Sequence, residues 1–403
     1  MTSTETLVLD EERRGRAALT ALVEPGDDRV RLAAERVGAA DLVRRIASQR
    51  EDSQRMDPFD LADRLLEKAA KVGARLAIPG DAEWPEASLF GLARLAARRQ
   101  ALVASGSSVS TIERSVAPPV ALWLRGPLRL ADTVRQSVAV VGSRAASGYG
   151  SHVTAELSYG LAIRDWTVVS GGAYGIDGSA HRGALAADGQ TVAVLACGVD
   201  VPYPPGHAGL FDQIAHSGLL VSEWPPGTTP RRPRFLVRNR VIAALTAGTV
   251  VVEAGARSGA RATARRATEL GRVVMAVPGP VNSGTSVGCH QLLRSGLAIL
   301  VTRAEEVLEE VGRIGADLAD LPRAPDGWRD RLDEVSAAVV EAMPAMDWVS
   351  ASTLCEAISF PADQVTTALA GLVEAARLHR DADRYRLAAG ARTTPTSARP
   401  SIR

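Results

Sequence analysis

The sequence predicts an α/β protein whose core is an extended Rossmann-like, doubly wound sheet. It also predicts a small helical N-terminal domain before this core and a C-terminal winged-helix domain after it. Between Ser137 and Val301, short β-branched apolar runs each end at small, flexible or charged residues. Because these runs are continuous rather than alternating, they suit strands buried on both faces of a parallel sheet. Ala-rich stretches with helical spacing separate them, as a doubly wound sheet requires. The runs are Ser137–Arg144, Trp166–Gly172, Thr191–Gly198, Gly218–Glu223, Thr249–Gly255 and Arg272–Gly279.

The N-terminal part is predicted to be helical. Its Ala-, Leu- and Arg-rich segments, such as Val30–Ile46 and Phe59–Gly73, have the apolar spacing of amphipathic helices. We therefore expect a helical domain of the SAM or helix-hairpin-helix kind over residues 1–110, followed by the core over residues 111–312.

The C-terminal part is predicted to be a separate winged-helix domain over residues 331–388. Pro, Gly and Asp interrupt the preceding segment, which predicts a linker over residues 313–330. The polar end of the chain predicts a disordered tail over residues 389–403. Three amphipathic helices followed by a hairpin are typical of a winged helix. They are predicted at Leu332–Pro344, Ser350–Ile358, Pro361–Leu378 and, for the hairpin, Arg377–Ala388.

Composition argues against membrane, secreted and metal-binding proteins. No apolar run is long enough to cross a bilayer, and the N-terminus lacks the basic start and apolar stretch of a signal peptide. The cysteines Cys197, Cys289 and Cys355 are far apart and lack metal-ligand spacing, so we expect reduced thiols and no metal site. These features predict a cytoplasmic protein without a membrane partner, and no motif requires a cofactor.

Arginine is concentrated in one stretch of the chain. The formal net charge is only +1, yet Trp224–Met275 contains ten arginines and two acidic residues, a net charge of +8. Lysine occurs only at Lys68 and Lys71, so genome composition explains the choice of arginine but not its clustering. A one-sided basic patch is the electrostatic footprint of a polyanion-binding surface.

The most specific part of this stretch is Pro230–Leu245. Arginines beside an aromatic ring are typical of single-stranded nucleic acid binding, because the cations hold phosphates while the ring stacks on a base. Alternatively, the ring belongs to the core and the arginines form a solvated face. Against this, a helix opening at Arg238 would carry cations at its N-terminus, where they are unfavourable unless an anion binds. The predicted contacts are Arg232, Phe235, Arg238, Asn239 and Arg240.

Glycine-rich turns at the predicted strand ends offer backbone N–H groups to phosphates. The spacing after the first strand is not GxGxxG, and no acidic residue closes the next strand, so a dinucleotide site is weakly supported. Tight turns that need glycine for conformational reasons are the alternative. The candidate residues are Gly142, Ser143, Arg144, Ser170, Gly171, Gly172, Ser258 and Gly259.

Few residues form a catalytic pattern. Asp177 and His181 share one face of a predicted helix, which favours a structural hydrogen-bonded pair because no nucleophile has readable spacing to them. Asp177 alone is more typical of an N-cap than of a general base. Glu223 and Glu253 end predicted strands and are the carboxylates suited to hydrolysis, or they orient arginine side chains. Cys197 is more typical of a core thiol than of a nucleophile.

Together these segments resemble the DprA/Smf family of DNA-processing proteins, in order and over nearly the whole predicted core. The resemblance implies a cytoplasmic, non-enzymatic protein that binds single-stranded DNA during natural transformation and protects it. It also implies loading of RecA recombinase onto strands coated by single-strand-binding protein, and a homodimer formed through the core. The DNA contacts that it implies are Arg144, Arg232, Phe235, Arg238 and Arg240. The segments are VAVVGSRAASGYG, VVSGGAYGIDGSAHRGALAADGQTVAVLACGVDVPYP, GLLVSEWPPG, FLVRNRVIAAL, VVVEAGARSGARATARRATELGRVVMAVPG and SVGCHQLLRSG.

Two positions depart from the family pattern, since Tyr174 replaces a usual basic residue and His290 a usual Asn. Two other functions remain open at this point. One is a nucleotide phosphoribohydrolase on a related Rossmann-like fold, although the PGGxGTxxE loop of that class is absent. The other is a duplex-DNA regulator, although the predicted recognition helix Pro361–Leu378 is poor in base-reading side chains.

Overall fold

A computed structural model divides the chain into two compact units, Met1–Ala319 and Asp320–Arg403. Arg257 of the arginine-rich stretch, most of the predicted linker and nearly all of the predicted tail lie outside the described residues. The described residues are 3–49, 57–106, 115–256, 258–313, 317–319, 327–344 and 346–389, with side chains described from residue 9 onward.

A nine-stranded sheet forms the centre of the described part of the first unit. Its strands are β1 (Ala74–Ala77), β2 (Leu122–Arg125), β3 (Ser137–Val141), β4 (Thr167–Ser170), β5 (Thr191–Leu195), β6 (Leu219–Ser222), β7 (Gly248–Val251), β8 (Val273–Ala276) and β9 (Ile299–Leu300). Their order in the sheet is β1-β2-β6-β5-β4-β3-β7-β8-β9. The six predicted runs supply β3 to β8, which confirms the doubly wound core.

The sheet has a topological switch point between β3 and β7. Strands β3 to β9 pair in parallel, whereas β1 and β2 extend the far edge in antiparallel pairing. From β3 the chain steps outward through β4, β5 and β6, and then β7 pairs on the other side of β3. Ligands of doubly wound sheets bind at the carboxyl ends of the strands beside such a point.

Helices cover the two faces of this sheet. They are α1 (Ser3–Leu22), α2 (Asp28–Val37), α3 (Ala39–Ser48), α4 (Pro58–Lys71), α5 (Glu86–Ala104), α6 (Leu130–Thr133), α7 (Gly148–Ala162), α8 (Ile176–Ala186), α9 (Ala208–Ser217), α10 (Arg232–Leu245), α11 (Ala260–Glu269), α12 (Val287–Arg294) and α13 (Ala304–Val311). Successive strand residues point to opposite faces, so Ala139 and Val141 pack with α5, α10 and α11, whereas Val138 and Val140 pack with α7, α8 and α13. None of the described helices is long and apolar enough to cross a membrane.

The N-terminal region differs from its prediction in two respects. Gly38, with φ at +82°, separates α2 from α3, so the predicted helix Val30–Ile46 is in fact two helices. The second difference is β1, a strand inside the region predicted to be helical, which pairs with β2. Its sequence Ala-Arg-Leu-Ala favours a helix, so pairing at the sheet edge overrides local propensity there.

The second unit contains the predicted helices and hairpin among its described residues. The elements are α14 (Glu334–Ala342), β10 (Val349–Ser350), α15 (Ala351–Ala357), α16 (Ala362–Glu374), β11 (Leu378–Asp381) and β12 (Arg384–Leu387). The strands form an antiparallel sheet in the order β10-β12-β11, and Val339, Leu369 and Tyr385 belong to one apolar core. The assignment of this unit as a winged helix stays a prediction.

His181 of α8 is fully buried against β5. Its Nδ1 lies 2.8 Å from the hydroxyl of Thr191, and that hydroxyl donates its proton to the carbonyl of Val168 at 2.8 Å. The ring must therefore donate from Nδ1, which leaves Nε2 as a buried acceptor without a hydrogen-bond partner. Burial, together with the nearby His207 and Arg182, lowers the pKa of His181 to about 3.

We expect His181 to make the fold sensitive to acid. In the unfolded chain this imidazole binds a proton below about pH 6.5, whereas in the folded chain it stays neutral down to about pH 3. This contribution to stability is therefore complete above the unfolded pKa, and it falls by about 1.4 kcal/mol for each pH unit below it. In urea titrations from pH 7.5 to about 4.5, His181→Gln should lose this part of the pH dependence, and His152→Gln, at an exposed histidine, should retain it. Equal pH slopes for the parent and His181→Gln would contradict the assignment.

Candidate nucleic-acid interface

The carboxylate of Glu253, two residues after the end of β7, connects the segments that meet at the switch point. Its Oε2 accepts a hydrogen bond from the amide of Ser147 at 2.9 Å. Its Oε1 accepts from the hydroxyls of Ser147 at 2.6 Å and of Thr285 at 3.0 Å. A Cβ on Gly150 of α7 would lie 2.3 Å from Oε2, so α7 approaches this carboxylate closely. Glu253 therefore has a structural role, and the prediction that it orients an arginine is wrong.

The Gly142–Ser143 turn after β3 is fixed by the same residue. The amide of Ser143 donates to the carbonyl of Glu253 at 2.7 Å, and its own carbonyl accepts from the amide of Ile176 at 3.1 Å. A Cβ on Gly142 would lie 2.5 Å from the Ile176 side chain and 2.8 Å from the Glu253 carbonyl oxygen. Close packing thus requires glycine here, as the tight-turn alternative supposed, and it sets the direction in which Arg144 leaves the turn.

Arg144 and Phe235 come together at this edge although they are far apart in sequence. Arg144 is exposed, and its guanidinium carbon lies 4.9 Å from the centroid of the Phe235 ring, within cation–π range. Tyr203 approaches the same ring at 5.5 Å between centroids, with the planes tilted by 46°. Phe235 is consequently half-buried between a cation and a second ring.

Helix α10 begins earlier than the sequence predicts. Its first residue is Arg232, so Arg238, Asn239 and Arg240 lie in the middle of the helix and are buried, and the prediction that they open it is wrong. The cations at the N-terminus of this helix are instead Arg231 and Arg232. Both are exposed, and the first turn of the helix contains no acidic residue to balance them.

Arg238 packs beneath the strand ends. Its Nη1 donates to the carbonyls of Gly171, at 2.9 Å, and Val194, and its Nε donates to the side-chain oxygen of Asn239 at 3.2 Å. Burial lowers the pKa of Arg238 to about 10, and the positive charge of Arg144 acts in the same direction. The guanidinium therefore holds β4 and β5 together directly below the candidate surface.

Arg240 is fully buried and forms an ion pair with Glu223, at 2.6 Å between Nη2 and Oε1. Burial raises the pKa of the Glu223 carboxyl, while the charge of Arg240 opposes that rise. The prediction that Glu223 orients an arginine therefore agrees with this contact. Arg240, in contrast, is not available to solvent, so it is removed from the candidate DNA contacts.

The two other glycine turns differ in accessibility. Ser170, Gly171 and Gly172 are buried. The Ser170 hydroxyl donates a hydrogen bond to the carbonyl of Val140 at 2.6 Å, and a Cβ on Gly171 would lie 2.3 Å from the Arg238 guanidinium. Packing therefore explains these residues. At the start of α11, Gly259 is exposed and Ser258 half-exposed, and nothing within 4 Å would meet a Cβ on Gly259.

Asp177 and His181 do not form the predicted pair. His181 uses Thr191, as described above, and the Asp177 carboxylate accepts from the amide of Ala173 at 3.4 Å. The N-cap of α8 is Gly175, so Asp177 lies inside the first turn rather than at the cap. Burial raises the pKa of Asp177, with the charge of Arg238 opposing that rise. The pairing fails because the neighbouring strand supplies the histidine's partner, which helical spacing cannot reveal.

The loop before α9 carries an aromatic contact that the sequence did not predict. The ring of Tyr174 stands edge-on to the ring of His207, with 4.8 Å between centroids and 76° between planes. The hydroxyl of Tyr174 accepts from the amide of Gly206 at 3.2 Å. His207 is buried and its Nδ1 lies 3.1 Å from the carbonyl of Gly172, so packing rather than ligand binding accounts for it.

Cys197 and His290 have structural partners. The Cys197 thiol is buried and contacts the carbonyl of Val201 at 3.3 Å, and burial raises its pKa to about 11, which suits a core thiol. His290 contacts the carbonyl of Gly279 through Nε2 at 3.0 Å and so steadies the loop that leads into α12.

Glu24, after α1, holds the N-terminal helices to α10, and sequence reasoning missed it. Its carboxylate accepts from Arg234 at 2.5 and 3.2 Å and from the Trp224 indole at 3.1 Å. Burial acts against ionisation of Glu24, but these hydrogen bonds outweigh it and lower its pKa. Arg234 also lies over the Trp224 ring at 5.5 Å. No local sequence signal could reveal a contact between residues so far apart in the chain.

Comparison with known proteins relates this geometry to a family. Residues 77–312 match the family described as DNA recombination-mediator protein A. A putative DNA processing protein DprA of Mycobacterium tuberculosis is 47% identical over 343 residues, which are 84% of this chain and 84% of that protein. The DNA processing protein DprA of Streptococcus pneumoniae is 44% identical over 192 residues, covering 48% of this chain and 67% of that protein.

A solved structure supports the fold. The X-ray structure of DNA processing protein A from Streptococcus pneumoniae aligns with a TM-score of 0.54 and 31% sequence identity. The alignment covers 78% of this chain and 99% of that one. The matched family region begins within β1 and ends just after α13, so it contains every strand of the first sheet that surrounds the switch point.

Proposed function

This chain belongs to the DNA recombination-mediator protein A family, and from that membership we propose that it binds single-stranded DNA at the carboxyl edge of its sheet. The observation that carries the proposal is the exposed Arg144 stacked on Phe235, beside the exposed cations Arg231 and Arg232. A cation for phosphate next to a ring for a base is the arrangement that single-strand binders use.

Each group has a distinct task in the proposed complex. Arg144 and Arg232 bind phosphates, and Phe235 stacks on a base. The turns at Ser143 and Gly259 offer further polar groups to the backbone of the strand. The buried residues Arg238, Asn239 and Arg240 position α10 without touching DNA, as do the buried turn residues Ser170, Gly171 and Gly172 and the tightly packed Gly142.

Hydrolysis is not supported by the geometry. Both oxygens of Glu253 accept hydrogen bonds from neighbouring side chains or backbone, and Glu223 is buried and pairs through one oxygen with Arg240. Neither carboxylate is therefore free to activate water as a phosphoribohydrolase would need. We propose a non-enzymatic role.

We further propose that the bound strand is protected, and that it is passed to RecA recombinase in the cytoplasm after single-strand-binding protein is displaced. The family description as a recombination mediator supports this step. A mediator must hold the strand firmly enough to compete with the coating protein and still release it. Phosphate contacts that weaken with salt, together with stacking that does not depend on the base sequence, provide binding that is both firm and reversible.

A homodimer through the sheet edge is also proposed. At the outermost strand β9 and just before it, the exposed apolar side chains are Leu297 at 53%, Ile299 at 43% and Leu300 at 53%. An uncovered apolar edge strand is an aggregation hazard, which proteins avoid by covering the edge. A second copy of the chain on this edge would cover it. The proposed DNA-binding surface would then extend over both copies.

We expect Phe235→Ala to weaken binding of an oligothymidylate by about 1–3 kcal/mol, the contribution of one stacked base. Arg144→Ala should weaken binding and reduce the slope of log K against log salt by about 0.7, the value for one phosphate contact. Fluorescence anisotropy across a salt series measures both changes, with a duplex of the same length for comparison. Arg135→Ala, which removes an exposed arginine just before the amino end of β3, is the matched control and should change neither quantity. Parent-like isotherms for Phe235→Ala and Arg144→Ala at every salt concentration would refute the proposed interface.

For the mediator role, the measured quantity is the lag before RecA hydrolyses ATP on strands coated by single-strand-binding protein. The parent chain should shorten this lag, and Arg144→Ala should lose most of the effect because a weakly held strand cannot be handed over. Arg135→Ala should act like the parent. A lag that the parent leaves unchanged would count against RecA loading while leaving DNA binding intact.

For the dimer, replacing both Leu297 and Leu300 by Asp should convert the protein to a monomer, because carboxylates at the edge cannot be buried without partners. Light scattering after size exclusion gives the mass directly. Ile163→Asp alters an apolar residue that is 54% exposed at the end of α7 and serves as the control. A parent chain that is monomeric at all concentrations, or a doubly substituted chain that still dimerises, would exclude this interface.

A further inference from the structure

We infer that Tyr174 and Tyr203 are additional base-stacking residues. With Phe235 they form an aromatic rim along the strand-end crevice, which is the surface at the carboxyl ends of the parallel strands beside the switch point. The inference rests on the proposed binding of single-stranded DNA and concerns which part of the strand is recognised. It assigns to base stacking a share of the affinity that phosphate contacts would otherwise supply.

Tyr174 is an exposed ring that is nevertheless held in place. It follows the buried Gly171–Gly172 turn of β4, and 48% of its surface is exposed. Its hydroxyl accepts a hydrogen bond from Gly206, and its ring contacts the edge of His207. A ring fixed in this way loses little conformational freedom when a base stacks on it, which favours binding.

Tyr203 occupies the other side of the same loop. It is 38% exposed and contacts Phe235, whereas Tyr174 contacts the loop at Gly206. A Cβ on Gly206 would lie 2.5 Å from the Tyr174 hydroxyl, so a side chain on the loop would displace the tyrosine. The loop therefore connects the two tyrosines, and the rim continues from Arg144 over Phe235 and Tyr203 to Tyr174.

The contacts of Phe235 explain why further rings are needed. Arg144 covers part of this ring and Tyr203 approaches it at a tilt, which leaves Phe235 half-buried. The ring thus has limited area for bases. Tyrosine rings that are more open offer a large and sequence-tolerant stacking surface with a polar tip that tolerates water.

Stacking on uncharged rings has a signature that phosphate binding lacks. It depends on the presence of bases and releases no counterions, so it adds affinity without changing the salt dependence. The charge of Arg144 and Arg232 gives the opposite signature. The two contributions can therefore be separated by removing bases from the DNA and side chains from the protein.

The experiment compares an oligothymidylate with a strand of equal length in which every base is replaced by an abasic unit. Tyr174→Leu should weaken binding of the base-bearing strand about tenfold, at the lower part of the range for one stacked base. It should leave binding of the abasic strand and the salt slope unchanged. Tyr174→Phe keeps the ring and loses only the hydrogen bond from Gly206, so it should retain most of the affinity for the base-bearing strand and bind the abasic strand like the parent. Tyr159→Leu, at a tyrosine that is 46% exposed near the end of α7, is the control for surface tyrosines and should also match the parent.

Three results would overturn the inference. The first is parent-like binding of both strands by Tyr174→Leu when Phe235→Ala is weakened, and this result leaves the proposed function intact. The second is equal weakening of both strands by Tyr174→Leu with an unchanged thermal melt, or weakening by Tyr174→Phe as large as that by Tyr174→Leu, since either means that the tyrosine only positions the loop. The third is parent-like binding by Phe235→Ala and Arg144→Ala as well, in which case the proposed function fails together with the inference.

Discussion

The carboxylate of Glu253 is the group on which the geometry of the strand-end crevice depends. It accepts hydrogen bonds from the segment that begins α7 and from the loop before α12. The backbone carbonyl of the same residue accepts a hydrogen bond from Ser143 and so fixes the turn after β3. A carboxylate suits this position, because its two oxygens accept several hydrogen bonds at once beside the first turn of α7. Ser143 is held by this residue, so the direction of Arg144 depends on it.

The arginines of the basic stretch divide into two roles that charge alone does not separate. Arg238 and Arg240 are buried among carbonyls and a carboxylate, so they stabilise the sheet and α10. Burying a charged pair is costly, and Arg240 keeps two nitrogens without a hydrogen-bond partner, so the ion pair fixes the register of α10 more than it adds stability. Arg144, Arg231 and Arg232 remain exposed and supply the field that attracts a polyanion.

The sequence predicted the sheet well and the side-chain partners poorly, for a physical reason. Buried parallel strands carry continuous apolar runs, and all six runs are strands, whereas β1 becomes a strand only by pairing with β2. The start of α10 was placed six residues too late because its first turn contains arginines and Pro233, which suits a helix start but not an apolar pattern. The Thr191 partner of His181 and the Glu24 partner of Arg234 come from distant segments. Periodicity reports which face of an element is buried, but it does not report what lies opposite that face.

The N-terminal helices also determine which cations reach the crevice. Of the three arginines before Phe235, Arg234 is neutralised by Glu24 and packed over Trp224, so it holds α1 against α10. Its neighbours Arg231 and Arg232 are exposed, although the charge of Arg231 also helps to lower the pKa of Glu24. Because Arg234 is held by Glu24, the position of Phe235, the next residue along the chain, is fixed as well. A stacking ring is useful only when its orientation is set before the base arrives, so the ion pair of Glu24 contributes to the interface although it lies outside the proposed DNA contacts.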